Sequence, residues 1–441
     1  MNILQLVPGS GDTFYCENCL RDNALTAALR RAGHAVDILP LYLPPIDEGL
    51  DRPIEAPIFF GGVNAYLQQV SGLFRRTPRW LDRLFDARWL LRWAGRRSGA
   101  TRAEALGEMT ISMLRGAQGR QAKELDRLVA FLRDRERPDV AVLSNALLTG
   151  LARRLSRELG IPVVCWCHDE DAFLDALPAP LDARAWETLA DRAGDIAAFV
   201  APSRYYADVM TRRLNLPAER MHVLPAGLDP AGFAPAATPP EAPAIGFLSH
   251  IAPGKGLETL GQAYLALRRG GHPRLQLRIT GGQTACDEPF HKRFARSVVA
   301  EAGDAVRFEP AFDREHRAEF LRSLSVLSVP TRRPEAFGLF VLEALACGVP
   351  VVLPRHGAFV ELVGETGGGV LCEPNDAEAL AAGLDELLSD PSRARALGRT
   401  GQQAVLKRYT ADSVAPRFAE ICRAACGSAS PAAARDAGSP S

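Results

Sequence analysis

Short apolar runs alternate along the chain with longer stretches in which apolar residues return every three or four positions. The runs NILQLV, VAVL and AIGFLS illustrate the first kind, and continuous apolar runs of this length are typical of buried parallel strands. The stretches between them have the spacing of amphipathic helices. This alternation predicts an α/β fold built on parallel sheets.

A Pro- and Ala-rich segment without periodicity, PAGFAPAATPPEAP, interrupts the pattern at residues 230–243. A chain of 441 residues is long for a single hydrophobic core, and a segment of this composition is typical of a domain boundary. The following division of the chain is therefore predicted: Rossmann-like domains at 1–235 and 243–410, a basic helical insertion around 65–135, a closing helix at 411–426 and a disordered tail at 427–441.

The segment Pro330–Pro350, PTRRPEAFGLFVLEALACGVP, carries the most specific chemistry of the sequence. It follows a strand-like run and contains a short predicted helix from Leu339 to Cys347. The helix N-terminus therefore lies at the carboxyl end of a strand, where α/β sheets bind ligands. Its backbone N–H groups near Phe337 and Gly338 are available to an anion.

Two carboxylates flank this helix start, Glu335 in the preceding loop and Glu343 about one turn inside the helix. Because a phosphate repels carboxylates, we expect these two side chains to bind hydroxyl groups. Lys255, between two glycines, precedes another predicted helix, and a cation in that position favours a bound anion such as a diphosphate. An anion site combined with two hydroxyl acceptors predicts a sugar nucleotide as the ligand.

These residues also carry a family resemblance. The Glu-x7-Glu pattern in EAFGLFVLEALACGVPVV resembles the donor signature of the family-4 glycosyltransferases, also called glycosyl transferases group 1. The runs PGSG, FFGGVNAYL, VAPSRYYADVM and VLPAGLDPAGFAP resemble the same family. The resemblance implies the GT-B fold, in which two Rossmann-like domains face a cleft and the last helix returns to the N-terminal domain. It also implies transfer of a sugar from a nucleoside-diphosphate sugar to a glycan, lipid or small-molecule acceptor, with retention of anomeric configuration.

The resemblance assigns roles residue by residue, and it requires neither a metal nor another cofactor. His168 follows a buried strand-like run beside three acidic residues, and it resembles the family histidine that faces the reacting sugar. The implied catalytic residues are His168, Lys255 and Glu335. The implied donor-binding residues are His250, Lys255, Gly282, Glu335, Ala336, Phe337, Gly338, Leu339 and Glu343. The implied acceptor and cleft residues are Gly9, Gly11, Gly62 and Asp169.

The chain departs from the family pattern at one position. Ser249-His250 stands where the family has Gly-Arg, so His250 replaces a cation that would bind the diphosphate. A histidine is mostly neutral at pH 7 unless its surroundings raise its pKa. A catalytically weak sugar-nucleotide-binding protein is therefore an alternative, as is a GT-B epimerase that acts without an acceptor. An NAD enzyme is disfavoured because the first glycine turn lacks a third glycine.

Residues 65–102 form a segment rich in Arg and Trp, with arginines at helical spacing. One interpretation is a helical insertion whose arginines face solvent. Another is peripheral contact with a membrane, to which a basic amphipathic helix with Trp is suited. Nucleic acid is the least favoured partner, since no recognisable binding module accompanies the basic run. The family resemblance gives the membrane interpretation some support, because many members glycosylate lipid-linked acceptors.

Overall composition adds limits to these interpretations. Lys and Arg number 52 and Asp and Glu also number 52, so no general affinity for nucleic acid is indicated. No signal peptide or long apolar run is recognised, which predicts a cytoplasmic protein, with peripheral membrane contact as an option. The nine cysteines are scattered, as in a reducing compartment. Cys16, Cys19, Cys165 and Cys167 form two close pairs that are interpreted as reduced thiols, with zinc binding or thiol–disulfide chemistry as alternatives.

Overall fold

The structure is a computed structural model that describes residues 1–9, 14–43, 48–49, 59–60, 103–238 and 240–428. Gly11 and Gly62, two of the predicted cleft residues, lie outside these ranges. The basic segment 65–102 and residues 429–441 of the predicted tail also lie outside them.

The first parallel sheet is formed by strands from the N-terminal half and has the order β2-β1-β3-β4-β5-β6. Its strands are β1 (Asn2–Val7), β2 (Ala35–Pro40), β3 (Val140–Leu143), β4 (Val163–Trp166), β5 (Ala198–Ala201) and β6 (Met221–Val223).

The second parallel sheet is formed by strands from the C-terminal half and has the order β12-β11-β10-β7-β8-β9. Its strands are β7 (Ala244–Leu248), β8 (Gln276–Thr280), β9 (Val306–Phe308), β10 (Val326–Leu327), β11 (Val351–Pro354) and β12 (Gly369–Cys372). In both sheets the strand order reverses next to the first strand, which is the point where α/β sheets bind ligands.

Helices connect and cover the strands. Those of the first half are α1 (Glu17–Arg31), α2 (Ala103–Leu114), α3 (Ala122–Arg133), α4 (Ala152–Leu159), α5 (Glu170–Leu174), α6 (Leu181–Ala193) and α7 (Arg204–Leu214). Those of the second half are α8 (Leu257–Gly270), α9 (Glu288–Ala302), α10 (Arg314–Arg322), α11 (Leu339–Ala346), α12 (Phe359–Thr366), α13 (Ala377–Ser389), α14 (Pro391–Arg408) and α15 (Ala411–Ser428).

Helix ends follow local sequence signals. The Ser203 hydroxyl accepts a hydrogen bond from the Tyr206 backbone N–H at 3.1 Å and caps α7. Gly348, with φ +70°, follows α11, where a left-handed residue terminates a helix. The helical periodicity of residues 103–135 predicts one continuous helix, and this prediction was wrong, because the structure divides the stretch into α2 and α3. Gly116 adopts φ +59° and packs so closely on the Gly150 carbonyl that a side chain would overlap it, so the chain turns between α2 and α3.

The last helix, α15, returns to the first sheet and packs against its core. The Phe418 ring stacks on Trp166 of β4 with ring centroids 5.6 Å apart, and both side chains are fully buried. Two parallel Rossmann-like sheets with a returning C-terminal helix confirm the predicted fold class. Among the described residues, no helix combines the length and apolar character needed to cross a bilayer.

Candidate active site

The loop that joins β10 to α11 presents the predicted anion site at the interface between the two halves. Gly338 directly precedes α11 with φ +109°, and a side chain there would lie 2.8 Å from the Phe359 ring. Phe337 is buried in the hydrophobic core of the C-terminal half and anchors the loop there. The Leu339 backbone N–H donates a 2.7 Å hydrogen bond to the carboxylate of Glu17, in the first turn of α1. A carboxylate from the first half therefore lies where the sequence predicts a phosphate.

Lys255 reaches the same loop from the opposite side. It ends a short 3₁₀ turn, Pro253–Lys255, and Gly256 directly precedes α8 with φ +78°. The Lys255 Nζ donates to both carboxylate oxygens of Glu335, at 2.8 and 2.9 Å. The structure thus brings together the lysine and the first glutamate of the Glu-x7-Glu pattern.

Charges are concentrated around the Lys255 ammonium. Burial would lower its pKa, but the carboxylates of Glu335, Asp169 and Glu17 raise that pKa above its usual value. Burial raises the pKa of Glu17 from 4.5 to about 7, with Lys255 opposing the rise and Glu335 adding to it. The Lys255 ammonium is therefore permanently charged, whereas Glu17 exchanges its proton near neutral pH.

His168 and Asp169 lie at the carboxyl end of β4 and face the same loop. Asp169 has φ +58°, and its carboxylate accepts a 2.7 Å hydrogen bond from the Ala336 N–H. The His168 Nε2 lies 3.6 Å from the Asp169 carboxylate and 4.0 Å from that of Glu17. Burial lowers the pKa of His168 well below 6.5, and the Arg21 and Lys255 charges lower it further. His168 is consequently a neutral imidazole at pH 7.

Glu343 is held from two sides inside α11. Arg317 of α10 donates to its carboxylate at 2.9 and 3.1 Å, and the Tyr15 hydroxyl donates to it at 3.0 Å. Arg317 also binds Glu48 from the first half at 2.7 Å. Sequence reasoning missed Arg317, Tyr15 and Glu48. The cavity beside Glu343 and Leu339 has a volume of about 10 Å³, which is room for one water at most.

His250 and Gly282 lie at a second contact between the halves. The His250 Nε2 is 2.8 Å from the Asp287 carboxylate, and its ring lies 4.7 Å from that of Phe14. Phe14 forms an antiparallel bridge with Gly282. Burial lowers the pKa of His250 below 6.5, although Asp287 opposes the shift. The histidine that replaces the expected arginine therefore favours its neutral form.

The structure thus groups most of the predicted residues around one loop and separates a few from it. His168, Asp169, Lys255, Glu335, Ala336 and Leu339 are linked by the contacts above. Gly9 lies two residues after β1 with φ +76°, and none of the contacts described here joins it to this group. Sequence reasoning missed Glu17. An acidic residue in a first helical turn normally complements that helix's own dipole, so nothing in the sequence distinguished it.

The two cysteine pairs have different surroundings. Cys165 and Cys167 are fully buried in the first core and face the same side of the sheet, as their spacing predicts. Burial raises the pKa of both thiols well above 9. Cys16 and Cys19 flank Glu17 at the start of α1. Within the described residues, no group of three or more His, Cys, Asp and Glu side chains is placed to hold a metal ion.

Comparison with known proteins agrees with this geometry. The profile described as Glycosyltransferase Family 4 matches residues 110–231, and that described as Glycosyl transferases group 1 matches residues 232–404. The chain belongs to the family-4 glycosyltransferases. The two matches meet at the start of the Pro-rich segment and together cover more than half of the chain.

The chain is similar to two proteins whose names describe an activity. It is 33% identical to a D-inositol 3-phosphate glycosyltransferase of Stackebrandtia nassauensis, over 45% of this chain and 48% of that protein. It is 29% identical to a GDP-mannose-dependent alpha-(1-6)-phosphatidylinositol monomannoside mannosyltransferase of Mycolicibacterium smegmatis, over 63% and 73%. The chain thus spans about half the length of the first of these relatives.

Solved structures with the same fold cover nearly the whole chain. Sucrose-phosphate synthase from Thermosynechococcus elongatus superposes with a TM-score of 0.71 at 19% identity, over 97% of this chain and 100% of that one. HepE from Anabaena superposes with a TM-score of 0.69 at 17% identity, over 96% and 99%. These likenesses confirm the GT-B fold.

Proposed function

We propose that the protein transfers a sugar from a nucleoside-diphosphate sugar to an acceptor, with retention of anomeric configuration. The main observation behind this proposal is that the Leu339 N–H and the Lys255 ammonium lie at the same loop. Each binds a carboxylate oxygen in this structure, and the same donors are suited to the oxygens of a diphosphate. The family relatives named for GDP-mannose and for inositol phosphates support a sugar nucleotide as donor and a polar, phosphate-bearing acceptor.

Residues 15–17 of the first half occupy the positions that parts of the donor would take. The Glu17 carboxylate stands in for a diphosphate oxygen at Leu339. The Tyr15 hydroxyl, which donates to Glu343, stands in for a ribose hydroxyl. Donor binding therefore requires this segment to leave the loop, because Glu17 occupies the Leu339 N–H and the cavity beside Glu343 holds at most one water.

Once the donor is bound, Lys255 and the backbone of residues 338–340 stabilise the negative charge that develops on the leaving diphosphate. Glu335, released from Lys255, accepts hydrogen bonds from the transferred sugar, and Glu343 accepts them from the ribose. The neutral imidazole of His168 shapes the face from which the acceptor attacks. Closure of the two halves excludes water and limits hydrolysis. No metal takes part in this scheme.

The test is a panel of UDP-, GDP-, ADP- and dTDP-sugars, offered with and without inositol phosphates, phosphatidylinositol and simple glycosides. Nucleoside diphosphate release that depends on acceptor supports transfer, and NMR of the product reports the anomeric configuration. Activity that persists in EDTA supports the metal-free scheme. A new sugar nucleotide formed without acceptor would indicate an epimerase, and binding without turnover would indicate a binding protein.

Site variants separate the proposed chemistry from folding. Lys255→Ala is expected to lower kcat/KM by about a hundredfold, the usual effect of removing one charge-stabilising donor. Glu335→Gln is also expected to lose most turnover. Lys292→Ala is the matched control, because that lysine lies on the exposed side of α9 and pairs only with neighbouring Glu288 among the contacts seen. Wild-type turnover in the first two variants would remove the proposed site.

A further inference from the structure

A pair of cysteines at the start of α1 has no part in the glycosyl-transfer scheme. Cys16 is the residue that precedes the helix, with φ −108° and ψ 96°, and Cys19 lies in the first turn. Their sulfur atoms are 2.7 Å apart, between the S–S bond length of about 2.05 Å and the separation of unbonded sulfurs. The chain therefore holds the two thiols in position to form a disulfide with little movement.

Accessibility favours reaction at this pair. Cys16 is partly exposed, whereas Cys19 is 6% exposed. A Cys-x-x-Cys pair at a helix N-terminus is the arrangement in which the thiolate is stabilised by the helix dipole. The other close pair, Cys165 and Cys167, is fully buried on one face of a strand. A reagent in solution can therefore reach Cys16, whereas Cys165 and Cys167 are shielded from it.

The residues next to this pair hold the closed site together. Tyr15, directly before Cys16, donates its N–H to the Gly281 carbonyl at 2.7 Å and its hydroxyl to Glu343 at 3.0 Å. Glu17, directly after Cys16, accepts the Leu339 N–H at 2.7 Å. A covalent bond between the two sulfurs would close a four-residue ring around Glu17 and fix the first turn of α1.

We infer that Cys16 and Cys19 form a reversible disulfide that retains residues 15–17 in the donor site and so weakens donor binding. The dithiol form allows the first turn to move and Glu17 to leave Leu339. The disulfide form keeps the site filled by the chain itself. The effect on donor binding rests on the proposed function, whereas formation of the disulfide does not.

The oxidation is a two-step exchange with a small-molecule disulfide such as glutathione disulfide. The Cys16 thiolate attacks one sulfur of that molecule, the S–S bond breaks, and the first glutathione leaves and takes up a proton. The Cys19 sulfur, after losing its proton, attacks the mixed disulfide at Cys16 and releases the second glutathione. Two S–H bonds of the protein are lost and one S–S bond forms, while the oxidant gains two electrons and two protons. Dithiothreitol reverses both steps.

The test equilibrates the full chain in glutathione buffers of graded ratio, blocks remaining thiols with iodoacetamide and maps the peptides by mass spectrometry. UDP and GDP binding is then measured by calorimetry on the oxidised and the reduced protein. We expect a Cys16–Cys19 link that dithiothreitol removes, and nucleotide affinity about tenfold lower in the oxidised form, within the usual range of coupling between sites.

Serine variants make the result specific. Cys16→Ser and Cys19→Ser should keep the reduced-state affinity in oxidising buffer, and serine at position 16 suits the residue before a helix. Cys286→Ser, at an exposed position on the second half, should behave as wild type. Alkylation of both cysteines at every ratio, or glutathione adducts alone, would overturn the inference.

Binding results distinguish the two proposals. A disulfide that forms without changing nucleotide affinity would overturn the coupling to the donor site. If neither redox form binds UDP or GDP while the disulfide still forms and reverses, the proposed function fails and the coupling fails with it. The reversible disulfide itself would then be established.

Discussion

Replacing Glu17 by Gln tests whether ionisation of this buried carboxylate destabilises the folded protein. Gln keeps an oxygen that accepts the Leu339 N–H but removes the ionisable group. Glu17 lies near Glu335, Glu343 and Lys255 of the other half, and near His168 and Tyr15 of its own half. Burial, with the neighbouring carboxylates, raises the pKa of Glu17 from 4.5 to about 7. The folded protein therefore favours the protonated side chain.

The size of the effect follows from that shift. Each pKa unit corresponds to about 1.4 kcal/mol, so ionised Glu17 costs the folded state about 3 kcal/mol. Below pH 4.5 the side chain is protonated in both folded and unfolded states, and wild type and Glu17→Gln should have similar stability. As pH rises toward 7 the wild type becomes less stable relative to the variant, because only its unfolded state releases the proton readily. The variant should then be more stable by about 2 kcal/mol at pH 6 and about 3 kcal/mol at pH 8.

Urea unfolding of both proteins at pH 4.5, 6, 7 and 8 measures this difference. Glu361→Gln is the control, because that carboxylate also accepts backbone N–H groups across the interface, from Arg204 and Tyr205 at 3.0 and 2.6 Å. Its nearest charge is the Arg204 guanidinium at 3.4 Å, so neutralising it should give no gain at high pH. A Glu17→Gln gain that is absent at pH 8, or equal at all four values, would refute the reasoning.

Three further variants test neighbouring parts of the site. Gly256→Ala should lower the free energy of unfolding by at least about 2 kcal/mol, because Gly256 has a left-handed backbone and a side chain there would overlap a carbonyl oxygen. Gly254→Ala faces open space and should leave stability unchanged. Urea midpoints compare the two variants. Glu343→Gln should destabilise the protein by about 1.5 kcal/mol, because buried Arg317 loses one of its two charged partners and keeps Glu48, and an unchanged midpoint would contradict this. For His168→Gln, stability should fall less between pH 7 and 5 than in wild type, because the folded protein keeps His168 neutral below 6.5 while the unfolded state binds the proton.

The fold was predictable from sequence because its signals are local. Short apolar runs gave the strands within about two residues, and the glycines after α4 and α11 marked the helix ends. The break between α2 and α3 was not predictable, since it depends on Gly116 packing against Gly150, which is distant in sequence. A helical pattern in one segment carries no information about such a contact.

The site was predictable only on the side that carries the family pattern. The sequence placed Lys255, Glu335 and the start of α11 together, and the structure shows those contacts. It also led to the expectation of a positively charged pocket, whereas Glu17, Asp169 and Glu335 surround the Lys255 ammonium. Glu17, Tyr15 and Arg317 could not be found because their partners come from the other half or another helix. Pairings across an interface leave no periodicity in either segment.

The most direct test of the central claim is a crystal structure of the reduced protein with a bound nucleoside diphosphate. The account predicts that a diphosphate oxygen accepts the Leu339 N–H, that Lys255 turns from Glu335 to the diphosphate, and that Glu17 has left the loop. A nucleotide bound elsewhere, with Glu17 still on Leu339 and Lys255 still on Glu335, would contradict it.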